Sequence, residues 1–305
     1  MSSGSFKAPA SPALRVLLLA TMAAWGANLA VVKLLLAVME PLLVSVLRMA
    51  VAAVAVCVMV AWQIARGRLR WPTLTRRQWW ALLACAVLMV YVNQLFFTFG
   101  VAGTAAANAA LIIALNPLIS SLMAALLLRE RLSPRRLVGV ALGFGGVAAV
   151  VLHRPGMALG GAGLGDLLVL GSVTTWVLGG VIVQRQARGI DPVCISTVLN
   201  VAGTALLAAH LALRPSPLVY DAAHIGWVTA ALVVVSGLLA TALGGIVWNR
   251  ALQVIGVARA ALYAYWVPIF GVGFAVGLLG EPLTVWHGVG LAAVLGGTWI
   301  GTRGH

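Results

Sequence analysis

The sequence predicts an all-α membrane protein, with ten transmembrane helices arranged as two inverted five-helix repeats around a central cavity. Three observations carry this. Hydrophobic residues make up 62% of the 305 residues and charged residues only 9%, whereas a soluble domain carries about 25% charged residues. The apolar residues fall into ten successive segments, each near the ~20 residues needed to cross a bilayer. The chain also repeats itself, without a gap, at an offset of 151 residues. Trp25 recurs as Trp176, Glu40-Pro41 as Asp191-Pro192, Ala109-Ala110-Leu111 as Ala260-Ala261-Leu262, and Pro117 as Pro268. Glu130 recurs as Glu281, Gly139 as Gly290, and Gly145-Gly146 as Gly296-Gly297. Each half holds an odd number of segments, so the second half enters the membrane upside down relative to the first. Inverted repeats of this kind typify secondary transporters, with the substrate site near the midplane.

The segments are expected over 14–36, 41–64, 78–100, 104–128, 134–152, 164–186, 191–213, 224–249, 256–279 and 283–301. Residues 1–152 form the first repeat and 153–305 the second. Segment one follows Lys7 and Arg15 and resembles a signal peptide, but its Trp25 has a partner deep in the second half, so it belongs to the fold. Segments two and seven open on the repeated acid-proline pair. Segments four and nine carry Pro117 and Pro268, each expected to kink its helix by removing a backbone donor. Paired kinks in inverted repeats are candidate hinges. Segments five and ten carry small-residue spacings (Gly139/Gly143, Gly297/Gly301) that pack helices closely. The Gly-rich stretch His153–Gly165 joins the halves.

The net charge of +14 is a matter of topology. With Lys7, Arg15 and Arg303, the loops around Arg66–Arg77, Arg129–Arg136, Arg185/Arg188 and Arg250/Arg259 place 16 cationic residues on one side. Lys33, Arg48, Arg154 and Arg214 leave 4 on the other. This asymmetry puts both termini in the cytoplasm of a cell (inner) membrane, and no nucleic-acid partner is implied. Cys57, Cys85 and Cys194 lie inside apolar segments with no metal or disulfide spacing, and no cofactor is expected. A membrane-embedded enzyme would need a nucleophile–base pair or a metal cluster, and the helices offer neither.

All six acidic residues (Glu40, Glu130, Asp166, Asp191, Asp221, Glu281) sit at segment ends or in loops. Proton-driven carriers usually place a carboxylate inside the membrane, so a facilitator is expected, with coupling through a histidine or the substrate's own charge left open. Glu130 and Glu281 are read as caps on the amides of the next helix. Arg48 lies about two turns into segment two. It is read as part of an outer charge cluster with Lys33 and Glu40, with attraction of an anionic substrate group as the alternative.

Polar stripes point to the cavity, since polar side chains in hydrocarbon must face another helix or water. Thr21, Trp25 and Asn28 share a face of segment one. Ser172, Thr175, Trp176 and Gly179 do so in segment six. Segment three offers Tyr91, Gln94 and Thr98, with Asn93 turned about 100° away. Asn108 and Asn116, then Gly237, Thr241, Gly244 and Trp248, and finally Tyr263 and Trp266 mark segments four, eight and nine. The expected binding surface is Trp25, Asn28, Tyr91, Gln94, Asn108, Thr175, Trp176, Thr241, Tyr263 and Trp266. These residues combine ring faces with neutral amides and hydroxyls and contain no charge, so a neutral zwitterion fits better than a strong anion. Interhelical hydrogen bonding is the competing explanation for any one of them.

Trp25-Gly26-x-Asn28, Pro41 leading to Arg48, the Ala-rich run into Pro117, and Glu130-Arg-Leu before Gly139 resemble the EamA family of the drug/metabolite transporter superfamily. The second-half copies Trp176, Asp191-Pro192, Pro268 and Glu281-Pro-Leu extend the resemblance over essentially the whole chain. It implies ten helices in two inverted repeats, with helices five and ten outside the cavity, and export of small metabolites. Within the family the aromatic positions look most like the YddG-type exporters of aromatic amino acids. The expected substrates are therefore aromatic and other bulky neutral amino acids, carried by a monomer in contact with membrane lipid. Threonine-like amino acids, nucleosides and cationic drugs, with or without proton coupling, are the alternatives. The halves differ at Lys33/Gln184, Asn28/Gly179 and Arg48/Leu199.

Overall fold

The computed structural model describes residues 11–128, 134–152, 163–256, 260, 263–264 and 266–302. Among them the chain is helical, with no strand beyond one isolated bridge between Met39 and Tyr220. Six helices are long and apolar enough to cross a membrane. These are α1 (Pro12–Leu36), α2 (Pro41–Ala65), α3 (Arg76–Ala102), α7 (Gly163–Gln186), α8 (Pro192–Leu213) and α9 (Trp227–Val254). Shorter helices complete the bundle: α4 (Ala106–Ile113), α5 (Asn116–Leu128), α6 (Pro134–Leu152), α10 (Trp266–Leu279) and α11 (Val285–Thr302).

Local chemistry explains the starts. Ser11 accepts a hydrogen bond from the Leu14 amide ahead of Pro12. Thr75 and Gln78 form a reciprocal capping box at α3. Proline at the first position and an extended acid before it start α2 and α8 alike; proline there lacks a donor the helix would leave unpaired anyway. Of the two acids, only Asp191 caps, accepting from the Val193 amide at 2.8 Å. Glu40 instead pairs with Arg214 at 2.6 Å, where the 214–226 loop folds back on the α1–α2 turn. In that loop the His224 hydrogen bond holds the Asp221 carboxyl below its usual range.

Two features depart from regular helix. Residues Ala86–Val92 of α3 and Ser236–Leu243 of α9 are π-helical. They overlap at the 151-residue offset of the sequence, although nothing in either segment's composition marks them. The fourth predicted segment, 104–128, is two helices. At Leu115 the α-helical bonding tightens to an i→i−3 bond with the Ile112 carbonyl at 3.0 Å, and helix resumes at Asn116; Pro117 cannot donate to the Ile113 carbonyl one turn back. In the ninth, 256–279, the described helix Trp266–Leu279 carries Pro268 in its first turn, buried.

Close approaches fix the packing. Gly26 of α1 lies against Phe270 and Gly271 of α10, where a Cβ would come within 2.6 Å of the Phe270 Cβ. Gly297 of α11 meets the Gly139 carbonyl and the Gly143 amide of α6, and Gly146 meets Ala293. Helices α6 and α11 therefore pack glycine to glycine against each other, and among the described residues neither lines the cavity described below. Gly100 of α3 and Gly103 just past its end press on Gly165 and Val169 of α7 in the same way.

Glu281 does not cap the helix that follows it. Its two carboxylate oxygens accept from the Ala106 and Ala107 amides at 2.8 and 3.0 Å, at the start of α4. The start of α11 is served by Thr284 and His287. Glu130, Ser133, Arg154, Arg259 and most of the linker lie outside the described residues.

Candidate functional site

One internal cavity of about 170 Å³ opens within the bundle. Residues of both halves line it. At one end lies Arg48, which is 2% exposed. Its Nε donates to Ser236 Oγ at 2.5 Å, Nη1 to Gln94 Oε1 at 3.3 Å and Nη2 to Asn28 Oδ1 at 3.3 Å. Ser236 in turn donates to Asn28, and the Gln94 amide donates to Asn93, whose own amide donates to the Ser172 carbonyl at 2.7 Å. The guanidinium also sits 5.9 Å from the Phe97 ring centre. Every group that orients Arg48 is neutral, and no carboxylate pairs with it among the described residues. A buried cation held this way keeps its charge uncompensated in a low-dielectric site.

The middle of the cavity is walled by tryptophan. Trp25 meets Trp176 edge-on at 5.7 Å between centroids and Trp248 at 5.3 Å, and Trp176 lies 6.4 Å from Trp248. Such pairs each add about 0.5–1.5 kcal/mol beyond simple burial. The Trp25 indole N–H donates to the Ala240 carbonyl at 2.8 Å. Ala240 lies in the π-helical stretch of α9, where i→i+5 bonding disturbs the regular pairing of carbonyls. The repeat partner Trp176 lines the cavity without a corresponding bond. At the far end from Arg48 lie Ser196 and Asn200 of α8 and Asn249 of α9.

The cavity brings together five of the ten residues expected from sequence: Trp25, Asn28, Gln94, Trp176 and Thr241. The other five stand elsewhere. Tyr91 points toward α8, its hydroxyl 3.1 Å from His210 Nδ1. Asn108 is buried beside His287, with Oδ1 3.1 Å from Nε2. Thr175 donates back to the Ser172 carbonyl within α7. Tyr263 packs against the main apolar cluster. Trp266 is 45% exposed and lies against Phe270.

The π segments explain part of this. One i→i+5 turn admits an extra residue, so the face beyond it rotates by about 100°. In α9 that turn brings Gly245 and Asn249 to the cavity beside Ala240 and Thr241, one residue on from the face that Gly244 and Trp248 mark. In α3 Asn93, Gln94 and Phe97 share the cavity face with Met89 and Val90, and Tyr91 lies outside it. Gly237 instead packs under the Arg48 backbone, where a Cβ would lie 2.6 Å from the Arg48 carbonyl.

Arg48 itself was legible only as an alternative. Lys33 does not share its cluster: the ammonium donates to the Val101 and Thr104 carbonyls at 2.9 and 2.7 Å. The uncharged cavity anticipated from the sequence therefore contains a cation.

Relatives place this architecture. The EamA-like transporter family matches residues 15–152 and, separately, 163–302. The uncharacterized transporter YyaM of Bacillus subtilis is 27% identical over 211 residues, which span 67% of this chain and 66% of that protein. A probable amino-acid metabolite efflux pump of Salmonella typhimurium is 28% identical over 304 residues, 94% of each chain. A solved crystal structure superposes with a TM-score of 0.68 at 20% identity, covering 95% of this chain and 96% of that one; at such identity the likeness speaks for the fold alone. The two family matches between them take in nearly every described helix, and the chain belongs to the EamA-like transporter family, as a multi-pass membrane transporter.

Proposed function

We propose that the protein is an inner-membrane exporter of amino acids, aromatic and bulky neutral ones foremost, working as a facilitator by alternating access through the central cavity. The observation that carries this is Arg48. A buried guanidinium without a counter-ion, beside a tryptophan wall, matches a solute with a carboxylate and an apolar body. It disfavours cationic drugs, which the same charge would repel. The probable amino-acid metabolite efflux pump of Salmonella typhimurium, similar along 94% of its length, is consistent with the reading, and so is a YddG-like preference.

In this reading residues 1–152 and 153–305 are the two inverted repeats and both termini face the cytoplasm. The halves rock about the cavity, with Pro117 and Pro268 as hinges. The chain acts as a monomer in lipid, with the small solute as its partner. The test is flux. Purified protein in proteoliposomes should exchange radiolabelled phenylalanine, tyrosine and tryptophan with and without a pH gradient alike. Trp25→Ala and Trp176→Ala should abolish or redirect that exchange while remaining folded in detergent. Normal aromatic transport by both variants would reduce these rings to packing residues, and strict dependence on a pH gradient would replace the facilitator by a proton-coupled carrier.

A further inference from the structure

The end of the cavity opposite Arg48 is polar without being satisfied. Asn200 donates its amide N–H to the Ser196 carbonyl at 2.8 Å, and Asn249 donates to Ser196 Oγ at 2.9 Å. The Ser196 carbonyl thus fixes the Asn200 amide by its nitrogen end, and the Ser196 hydroxyl meets the nitrogen of Asn249. The two amide oxygens have no hydrogen-bond partner among the described residues, although Asn200 is 5% and Asn249 3% exposed. A buried, unpaired carbonyl oxygen costs roughly 1–3 kcal/mol, and here two occur side by side on a cavity wall. Both residues line the cavity, where a ligand that donates would pair them.

Position defines the ligand further. Ser236, which holds Arg48, and Asn249 lie on the same helix thirteen residues apart, so their backbones are about 15–20 Å apart along its axis. The side chains narrow that gap. A tyrosine-sized solute spans roughly 9 Å from carboxylate to phenol oxygen, and a hydrogen bond at each end adds about 3 Å. The tryptophan wall lies between. We infer that Asn200 and Asn249 form a second binding station, which receives a hydroxyl or N–H donor at the end of the solute farthest from its carboxylate. The inference rests on the amino-acid reading above for its natural substrates. It selects among them the side chains that end in a donor, of which tyrosine and tryptophan are the plain cases, over phenylalanine.

The test compares ligands that differ by one donor. In proteoliposome competition, tyrosine should bind about tenfold more tightly than phenylalanine, the effect of one net hydrogen bond. Asn200→Leu and Asn249→Leu should erase the preference by weakening tyrosine alone. Asn200→Ser and Asn249→Ser, smaller and still polar, are the substitutes if the leucine variants fail to fold, and the same loss of preference is expected. The same comparison is made with 3-(4-hydroxyphenyl)propionate against 3-phenylpropionate, read by thermal shift of the purified protein. Neither compound is an amino acid. If these acids show the preference and the variants lose it while no amino acid is exchanged, the station stands and the amino-acid reading falls. If wild type treats both members of each pair alike, or the variants weaken both equally, the station is overturned. If nothing with a carboxylate binds, both readings fall together.

Discussion

Replacing Arg48 with methionine isolates the charge in the cavity. Methionine keeps much of the length and loses the cation, which itself opposes membrane insertion by about 2.5–3.5 kcal/mol at a helix centre. The fold is therefore expected to survive. Ser236 and Asn28 lose an Arg48 donor but keep the hydrogen bond between them, and Gln94 Oε1 loses the donor it has in Arg48. The effect on ligand follows from donor arithmetic. A guanidinium has five N–H groups, and three are engaged by Ser236, Gln94 and Asn28. One N–H on each terminal nitrogen remains for a ligand, the disposition a carboxylate uses. A charge-assisted hydrogen bond contributes about 1.5–3 kcal/mol, or about 10- to 100-fold in affinity. Arg48→Met should weaken phenylalanine binding by that factor. It should not weaken phenylalaninamide, which lacks the carboxylate and, as a cation, gains from the loss of the Arg48 charge. Competition against radiolabelled phenylalanine in proteoliposomes measures both. Equal affinity of the variant and wild type for phenylalanine, at matched expression and thermal stability, would refute the carboxylate role and leave Arg48 as a structural strut between α2, α3 and α9.

Other perturbations test the framework. Gly203→Ala places a Cβ 2.4 Å from Val90 Cβ; that atom is anchored to the α3 backbone, so a loss of about 1–3 kcal/mol of stability should appear as a lower melting temperature. Gly179→Ala meets the Met89 Cγ at 2.1 Å, but a methionine can swing away, and its melting temperature should fall less. Glu281→Gln removes charge and one of two acceptors from the start of α4, lowering stability by about 0.5–2 kcal/mol with binding retained. Pro117→Ala and Pro268→Ala should slow exchange more than they weaken binding; unchanged rates in both would leave these prolines a packing role. A cysteine placed at Thr75 should react with impermeant reagents only from the cytoplasmic face, and labelling from outside would invert the proposed topology.

The fold was legible because its signals are long. Apolar runs of bilayer length and repeated acid-proline starts need no tertiary information, and α2 and α8 begin where those pairs stand. The site was legible in part because one-turn spacing is a local property while register is not. Trp25 and Asn28 lie on an uninterrupted helix, and both reach the cavity. In α9 a π turn follows Ser236, and there the 3.6-residue period marks Gly244 and Trp248 where the cavity takes Gly245 and Asn249. No residue type encodes a π turn as proline encodes a break, so Asn249 carried no mark of its role. Asn108 and Thr175 show the other limit. Both are polar and buried in hydrocarbon, as the stripe argument required, yet a histidine and a backbone carbonyl satisfy them.

The same reasoning explains why Arg48 was the hardest residue to place. Sequence alone puts it near Lys33 and Glu40, and charges near one membrane face are commonly a solvated cluster. What separates the three is the set of partners each finds. Glu40 finds Arg214 across the loop, and Lys33 finds the carbonyls that end α3. Those carbonyls carry the negative end of a helix dipole and suit a cation. Arg48 finds only neutral oxygens, supplied by α1, α3 and α9 together. Asn28 and Ser236 each come from a different helix than Arg48, so the cluster exists only once the bundle has assembled. The second half has Leu199 at the equivalent position and glycine where Asn28 stands. Its own polar groups, Ser196, Asn200 and Asn249, sit at the opposite end of the cavity and carry no charge. In the proposed reading the two halves give one cavity a charged donor end and a neutral acceptor end, and a solute that crosses between them offers an acceptor to one and a donor to the other.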